Sequence, residues 1–179
     1  MKFTQTGLPG VILVEPDVHR DARGFFLETF HAARYREGGI GYDFVQDNQS
    51  RSQRGTLRGL HAQRQRPQAK LVRAVRGEIF DVAVDVRPGS PTFGRHVAAR
   101  LSEENFHQLF VPPGFAHGFC VLSEVAEVEY KCTAFYDGKD EIGVRWDTAG
   151  IAWPVAQPLL SPKDAALPSL DEMRKLLGG

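Results

Sequence analysis

The stretch 70–86, KLVRAVRGEIFDVAVDV, constrains the fold more than any other part of the chain. Phe80, Val82, Val84 and Val86 alternate with Ile79, Asp81, Ala83 and Asp85. Successive side chains of a strand point to opposite faces, so this period of two predicts a half-buried strand. Gly77 separates two such runs where a tight hairpin connection would want a glycine. The turn residues Arg87-Pro88-Gly89-Ser90-Pro91 end the pattern. Residues 95–101 resume it, with Val97, Ala99 and Leu101 on one face. Stretches 108–111, 119–122 and 125–133 read as further strands. Pro112-Pro113-Gly114 reads as a turn that opens a loop ending near His117. Helix signals are few: a short one over 31–37, and 169–177, where Ser169 and Glu172 form a capping box and Met173, Leu176 and Leu177 an apolar face. Many short strands, Gly/Pro turns and few helices predict an all-β sandwich or jelly-roll barrel, inside which side chains from several strands converge.

Length and composition narrow the class further. A chain of 179 residues fits one domain, 1–179, with a core large enough to fold without metals or disulfides. Its 22 basic and 22 acidic residues balance, so no basic field is available for nucleic acid. Cys120 and Cys132 are too few for a disulfide-built secreted domain and read as small buried hydrophobes. The apolar run 11–14 is too short for a signal-peptide core or a membrane span. A soluble, cytoplasmic protein with no membrane partner is expected.

Ionisable residues inside strands are the informative anomaly, because a buried charge is costly unless paired. In Leu57-Arg58-Gly59-Leu60-His61-Ala62-Gln63, His61 and Gln63 share one parity and Arg58 has the other. Taken alone, His61 reads as a hydrogen-bonded core histidine, and Arg58 as solvent-exposed. A bulge at Gly59 would turn both inward. Lys70 alone reads as a surface lysine. Tyr130 shares the apolar parity of Ala126, Val128 and Cys132, so it should face the interior as a core aromatic or a proton donor. His117, in the glycine-framed Gly114-Phe115-Ala116-His117-Gly118, sits in a setting suited to ligand contact. His61 has no second histidine two residues away, and His107 and His117 are split by a turn, so no metal site is expected. Phosphate-loop, dinucleotide and nucleophile-elbow motifs are absent from the sequence.

Taken together, the runs Arg23-Gly24-Phe25-Phe26, Val45-Gln46-Asp47-Asn48, Leu57-Arg58-Gly59-Leu60-His61 and Asp81-Val82-Ala83-Val84-Asp85-Val86-Arg87 are followed by four more. These are Ser90-Pro91-Thr92-Phe93-Gly94, Pro113-Gly114-Phe115-Ala116-His117-Gly118-Phe119, Tyr130-Lys131-Cys132-Thr133 and Ser161-Pro162-Lys163-Asp164-Ala165. In this order they closely resemble the dTDP-4-dehydrorhamnose 3,5-epimerase family, over nearly the whole chain. The resemblance implies a cupin-type jelly roll with a few short peripheral helices. It also implies a homodimer acting without a cofactor on dTDP-4-dehydro-6-deoxyglucose, in dTDP-rhamnose biosynthesis. It makes His61 the base, oriented by Asp164, Tyr130 the acid on the opposite face of the sugar, and Lys70 the group that holds the enolate oxygen. A histidine, with an ordinary pKa of about 6.5, and a tyrosine, near 10, suit these roles. The resemblance also assigns substrate binding to Arg23, Glu28, Gln46, Asn48, Arg58, His117, Glu141 and Lys163. Tyr136 would stack on the thymine or sugar, and the site near Arg23 and Glu28 would be completed across the dimer.

Two departures from the family pattern stand out. Ala62 follows the base histidine where many members have an aromatic residue, and Phe135-Tyr136 stands where a Tyr-Tyr pair is frequent. Both bear on whether one carbon or two are inverted. A mono-epimerase of a deoxysugar pathway is the nearest alternative. A non-catalytic jelly-roll module that binds a nucleotide sugar would have lost the base or the acid, and this chain keeps both.

Overall fold

The computed structural model describes residues 1–178. In chain order the elements are β1 (Lys2–Gln5), β2 (Ile12–Glu15), β3 (Val18–Asp21), β4 (Gly24–Leu27), α1 (Ala32–Glu37), β5 (Gln46–Gln53), β6 (Leu57–Gln63), β7 (Lys70–Arg76), β8 (Glu78–Asp85), β9 (His96–Ser102), β10 (Gln108–Val111), β11 (Phe115–Val121), β12 (Val125–Cys132), β13 (Glu141–Gly143), α2 (Pro162–Ala165) and α3 (Leu170–Leu176). Two antiparallel sheets face each other: a six-stranded one in the order β1-β2-β10-β7-β12-β5, and a five-stranded one in the order β13-β6-β11-β8-β9. The hairpin β3–β4 forms its own small ribbon. This is the all-β, jelly-roll architecture expected from the strand pattern, with three short helices at the periphery. No helix among the described residues is long and apolar enough to cross a membrane.

Three apolar clusters hold the layers. Val72, Ala74, Ala126 and Val128 of the six-stranded sheet meet Ile79, Ala83, Phe119 and Leu101 of the five-stranded one. On the outer face of the five-stranded sheet, Val82, Val84 and Val86 pack with Ala116, Val144 and Met173 of α3. On the outer face of the six-stranded sheet, Ile12, Leu71 and Phe110 pack with Tyr35 of α1 and with Ile40. Each fully buried valine or leucine contributes about 1.5–3 kcal/mol of transfer free energy.

The structure corrects four sequence-based expectations. β8 is buried on both faces, not one, because the C-terminal segment covers the face that alternation alone would leave in water. Gly77 does not turn a hairpin: β7 and β8 lie in different sheets, and the chain crosses between them there. Its φ is +70°, and a Cβ at this corner would collide with Ser123 Oγ and the Val125 carbonyl, so glycine is still required. The expected loop before His117 is strand: β11 runs from Phe115 and pairs with both β6 and β8. In the last helix the capping box forms as read, but Leu176 is 59% exposed. Leu170, Met173 and Leu177 make the contacts.

Candidate active site

Between the sheets opens a cavity of about 790 Å³, with walls from both layers. β6 supplies one wall, and its local irregularity decides what faces inward. His61 pairs with His117 and Arg58 with Phe119, so three steps on β6 oppose two on β11. The extra residue is a bulge, and it places Arg58 and His61 on the same cavity despite their opposite parity. Gly59 permits it: its φ is +121°, and a Cβ there would lie 2.6 Å from Gly118 Cα and 2.8 Å from the His117 carbonyl oxygen. Glycine is the residue that tolerates both demands. His61 is half-buried in the cavity, whereas Arg58 lines it yet stays exposed, as its reading alone had it.

His61 Nε2 lies 2.6 Å from Asp164 Oδ1, a contact that joins residues 103 positions apart. The segment before α2 is brought to β6 by backbone bonds, Leu57 N–H to the Leu159 carbonyl at 3.0 Å and Leu159 N–H to the Gly55 carbonyl at 2.8 Å. Ser161 then caps α2 by accepting from the Asp164 N–H at 3.0 Å, which fixes the carboxylate under the ring. Burial pushes the Asp164 pKa up, but the hydrogen bond and charge of His61 outweigh it, and the net shift is downward. An ionised carboxylate only accepts, so Nε2 carries the proton of this bond, and in the neutral ring that leaves the lone pair on Nδ1.

The opposite wall comes from the six-stranded sheet. Tyr130 of β12 lines the cavity, and burial raises its hydroxyl pKa, keeping it protonated. Lys70, expected at the surface, instead lines the same cavity, with its ammonium 6.0 Å from the centre of the Tyr130 ring. Burial lowers its pKa, while the negative charges of Glu141 and Asp81 act in the other direction. His117 is 6% exposed, and its Nε2 lies 2.8 Å from Oδ1 of the fully buried Asp81. At the rim, Glu141 and Lys163 form an ion pair of 2.5 Å, and Gln46 Nε2 donates to Asn48 Oδ1 at 2.9 Å. Arg58 Nε donates to Ser52 Oγ at 3.0 Å. Tyr136 also lines the cavity.

A histidine–carboxylate pair on one wall, with a protonated tyrosine and a lysine on the other, is an arrangement for moving protons on a bound carbon acid. Comparison with known proteins gives this chemistry a context. Residues 5–172 match the family described as dTDP-4-dehydrorhamnose 3,5-epimerase. The dTDP-4-dehydrorhamnose 3,5-epimerase of Pseudomonas aeruginosa is 54% identical over 168 residues, 92% of this chain and 93% of the relative. The crystal structure of a Legionella pneumophila dTDP-6-deoxy-D-glucose-3,5-epimerase in complex with dTDP-4-keto-L-rhamnose is 49% identical, with a TM-score of 0.94 over 98% of this chain and 96% of that one. A 3'-monoepimerase of Streptomyces bikiniensis in complex with dTDP-quinovose is 36% identical, with a TM-score of 0.89 over 96% and 89%. The chain belongs to the dTDP-4-dehydrorhamnose 3,5-epimerase family.

Within this epimerase chain, every site residue expected from sequence lines the one cavity except Arg23 and Glu28. Arg23 stands at the tip of the β3–β4 hairpin, 91% exposed, paired with Asp21, and Glu28 is paired with Arg34. Gln63, Gln68, Cys132 and Leu159 also line the cavity and were not assigned to the site from sequence. Gln63 carried a signal, since it shares the parity of His61; Gln68 carried none. Asp81 carried one as well, an acid flanked on both sides by apolar residues of its strand. Among the described residues no group of three or more His, Cys, Asp and Glu is placed to hold a metal ion.

Proposed function

We propose that the protein is a dTDP-4-dehydrorhamnose 3,5-epimerase, converting dTDP-4-dehydro-6-deoxyglucose into dTDP-4-dehydro-6-deoxy-L-mannose for dTDP-rhamnose biosynthesis. The observation that carries this reading is the His61–Asp164 pair standing opposite Tyr130 and Lys70 in one cavity. The C4 ketone acidifies the hydrogens at carbons 3 and 5. His61 Nδ1 removes one of them, and the C–H electron pair enters the enolate. The Lys70 ammonium holds the charge on the C4 oxygen, and Asp164 stabilises the imidazolium. Tyr130 then delivers its phenolic proton to the same carbon from the other face, which inverts it. The imidazolium returns its proton to solvent and the tyrosine takes one up, so the sum is an isomerisation, and no step calls on a cofactor.

Arg58, His117, Gln46, Asn48, Tyr136, Glu141 and Lys163 bind the nucleotide sugar in this reading. Arginine suits a diphosphate because its planar fork meets phosphate oxygens in pairs. A second copy of the chain would bring Arg23 and Glu28 to the rim. Its hairpin is built to be covered, since Phe25 and Phe26 are 57% and 71% exposed.

The second reading, a mono-epimerase, rests on the likeness to the Streptomyces bikiniensis protein. The test is incubation with dTDP-4-dehydro-6-deoxyglucose in heavy water, reduction of the ketone and location of deuterium by NMR. Deuterium at both carbons of an L sugar is expected. A stable product inverted at one carbon would move the protein to the mono-epimerase branch, and no exchange at either carbon would overturn the reading.

A further inference from the structure

The strap of residues 133–140 between β12 and β13 contains no strand or helix, yet it carries Tyr136 at the cavity rim. Three glutamine side chains hold its backbone. Gln68 Nε2 donates to the Ala134 carbonyl at 2.6 Å. Gln63 Nε2 donates to the Phe135 carbonyl at 3.3 Å and to the Arg66 carbonyl at 2.8 Å, and its Oε1 accepts from the Asp137 N–H at 2.7 Å. Gln46 Oε1 accepts from the Tyr136 N–H at 2.9 Å. Gln63 and Gln68 are only 5% and 9% exposed, and a buried amide is costly unless it is bonded. Both amide hydrogens of Gln63 are committed to backbone carbonyls, so it has none left to donate to a ligand.

The strap is latched from the other side as well. Asp140 accepts from the N–H groups of Gln65 and Arg66 at 2.8 and 2.9 Å, and Arg66 pairs with Asp137 at 2.6 Å. Gln63 also stands opposite Glu141 in the β6–β13 register. The strap is therefore tied to the end of β6 and the approach to β7, the strands that carry His61 and Lys70. A segment without a hydrogen-bond ladder would otherwise have to be ordered at the moment of binding, at a cost in affinity.

We propose that Gln63 and Gln68 are positioning residues for nucleotide recognition, splinting the strap so that Tyr136 stands preformed at the rim. This rests on the reading of the cavity as a dTDP-sugar site. The test is a double-mutant cycle read by calorimetric titration with dTDP: wild type, Gln63→Met, Gln68→Met, Tyr136→Ala and the two double variants. Each glutamine change should weaken dTDP binding about tenfold in the wild-type background, since the strap loses a donor that holds its backbone and must be ordered on binding. In the Tyr136→Ala background the further loss should be less than twofold, because the glutamines act through that ring. Full additivity would overturn the proposal. Trypsin supplies a readout that needs no ligand: cleavage after the exposed Lys139 should be at least tenfold faster in the methionine variants, and an unchanged rate would also overturn it. If Gln63→Met fails to fold, Gln68→Met, which removes a single bond, carries the same cycle. Failure of the wild type to epimerise would sink the proposed function, whereas an active wild type with an additive cycle would sink the splint alone.

Discussion

Replacing Asp164 by Asn probes the His61 pair at nearly constant shape. The cap at Ser161 survives, because it uses the Asp164 backbone N–H. What goes is a buried negative charge 2.6 Å from His61 Nε2. Before a base acts its ring must be neutral, and for that form the loss is of one hydrogen bond to an ion, about 1.5–3 kcal/mol. In the transition state the ring is becoming an imidazolium, and a unit pair at about 4 Å in an effective dielectric near 20 is worth about 4 kcal/mol. The asparagine oxygen can still accept from Nε2–H, so part of the interaction persists. Its amide can also donate to Nε2, which would turn the proton-bearing nitrogen toward the substrate. The difference between the two losses, about 1–2.5 kcal/mol, raises the barrier and corresponds to roughly five- to seventyfold slower proton removal. The assay is deuterium wash-in at carbons 3 and 5, followed by NMR under saturating substrate, with dTDP affinity measured separately. Exchange in Asp164→Asn within threefold of wild type would refute the role of the pair. So would an equal loss in dTDP affinity, since that would make Asp164 a binding residue.

Other outcomes follow from the same geometry. Tyr130→Phe should leave His61 able to exchange protons from its own face while slowing formation of inverted product about 10²–10⁴-fold; inversion at the wild-type rate would remove Tyr130 from the acid role. Gly59→Ala should cost about 2–3 kcal/mol, from a backbone angle reserved for glycine and the approach of Gly118. For a chain of this size that is roughly 4–12 °C in melting temperature, and an unchanged melting curve would contradict the bulge. Asp85 is buried and receives Arg87, Ser90 and Thr92, and although burial opposes it, these bonds hold its pKa at about 2. A depressed carboxylate stabilises the fold above its unfolded pKa, so about 2 kcal/mol should be fully present above pH ~4 and disappear as the pH falls toward 2. Urea midpoints should show that slope in wild type and a flatter one in Asp85→Asn; parallel slopes would argue against it. Arg58→Ala should weaken dTDP binding and flatten its salt dependence, and identical titrations at low and high salt would place the diphosphate elsewhere.

Strand identity was legible in the sequence because alternation is a local property of the chain. β8, β9, β10 and β12 lie where their side-chain periods put them, and the capping box of α3 was readable for the same reason. The resemblance of ordered motifs pointed to the site residues, whereas the residues read singly made His61 a core histidine and Lys70 a surface one. Tertiary structure decided the rest. The second buried face of β8 depends on Met173 and its neighbours folding back from the far end of the chain. Gly77 turns out to join two sheets because pairing partners are chosen among all strands, not between sequence neighbours. His117 became strand because two flanking strands, β6 and β8, supply hydrogen-bond partners that no local pattern can announce. Arg58 and His61 share a cavity only because β6 gains a residue against β11 at Gly59. His61 meets Asp164 because backbone bonds at Leu159 return the chain to β6. Contacts between residues so distant in sequence are set by sheet registration and close packing, which a one-dimensional pattern does not encode.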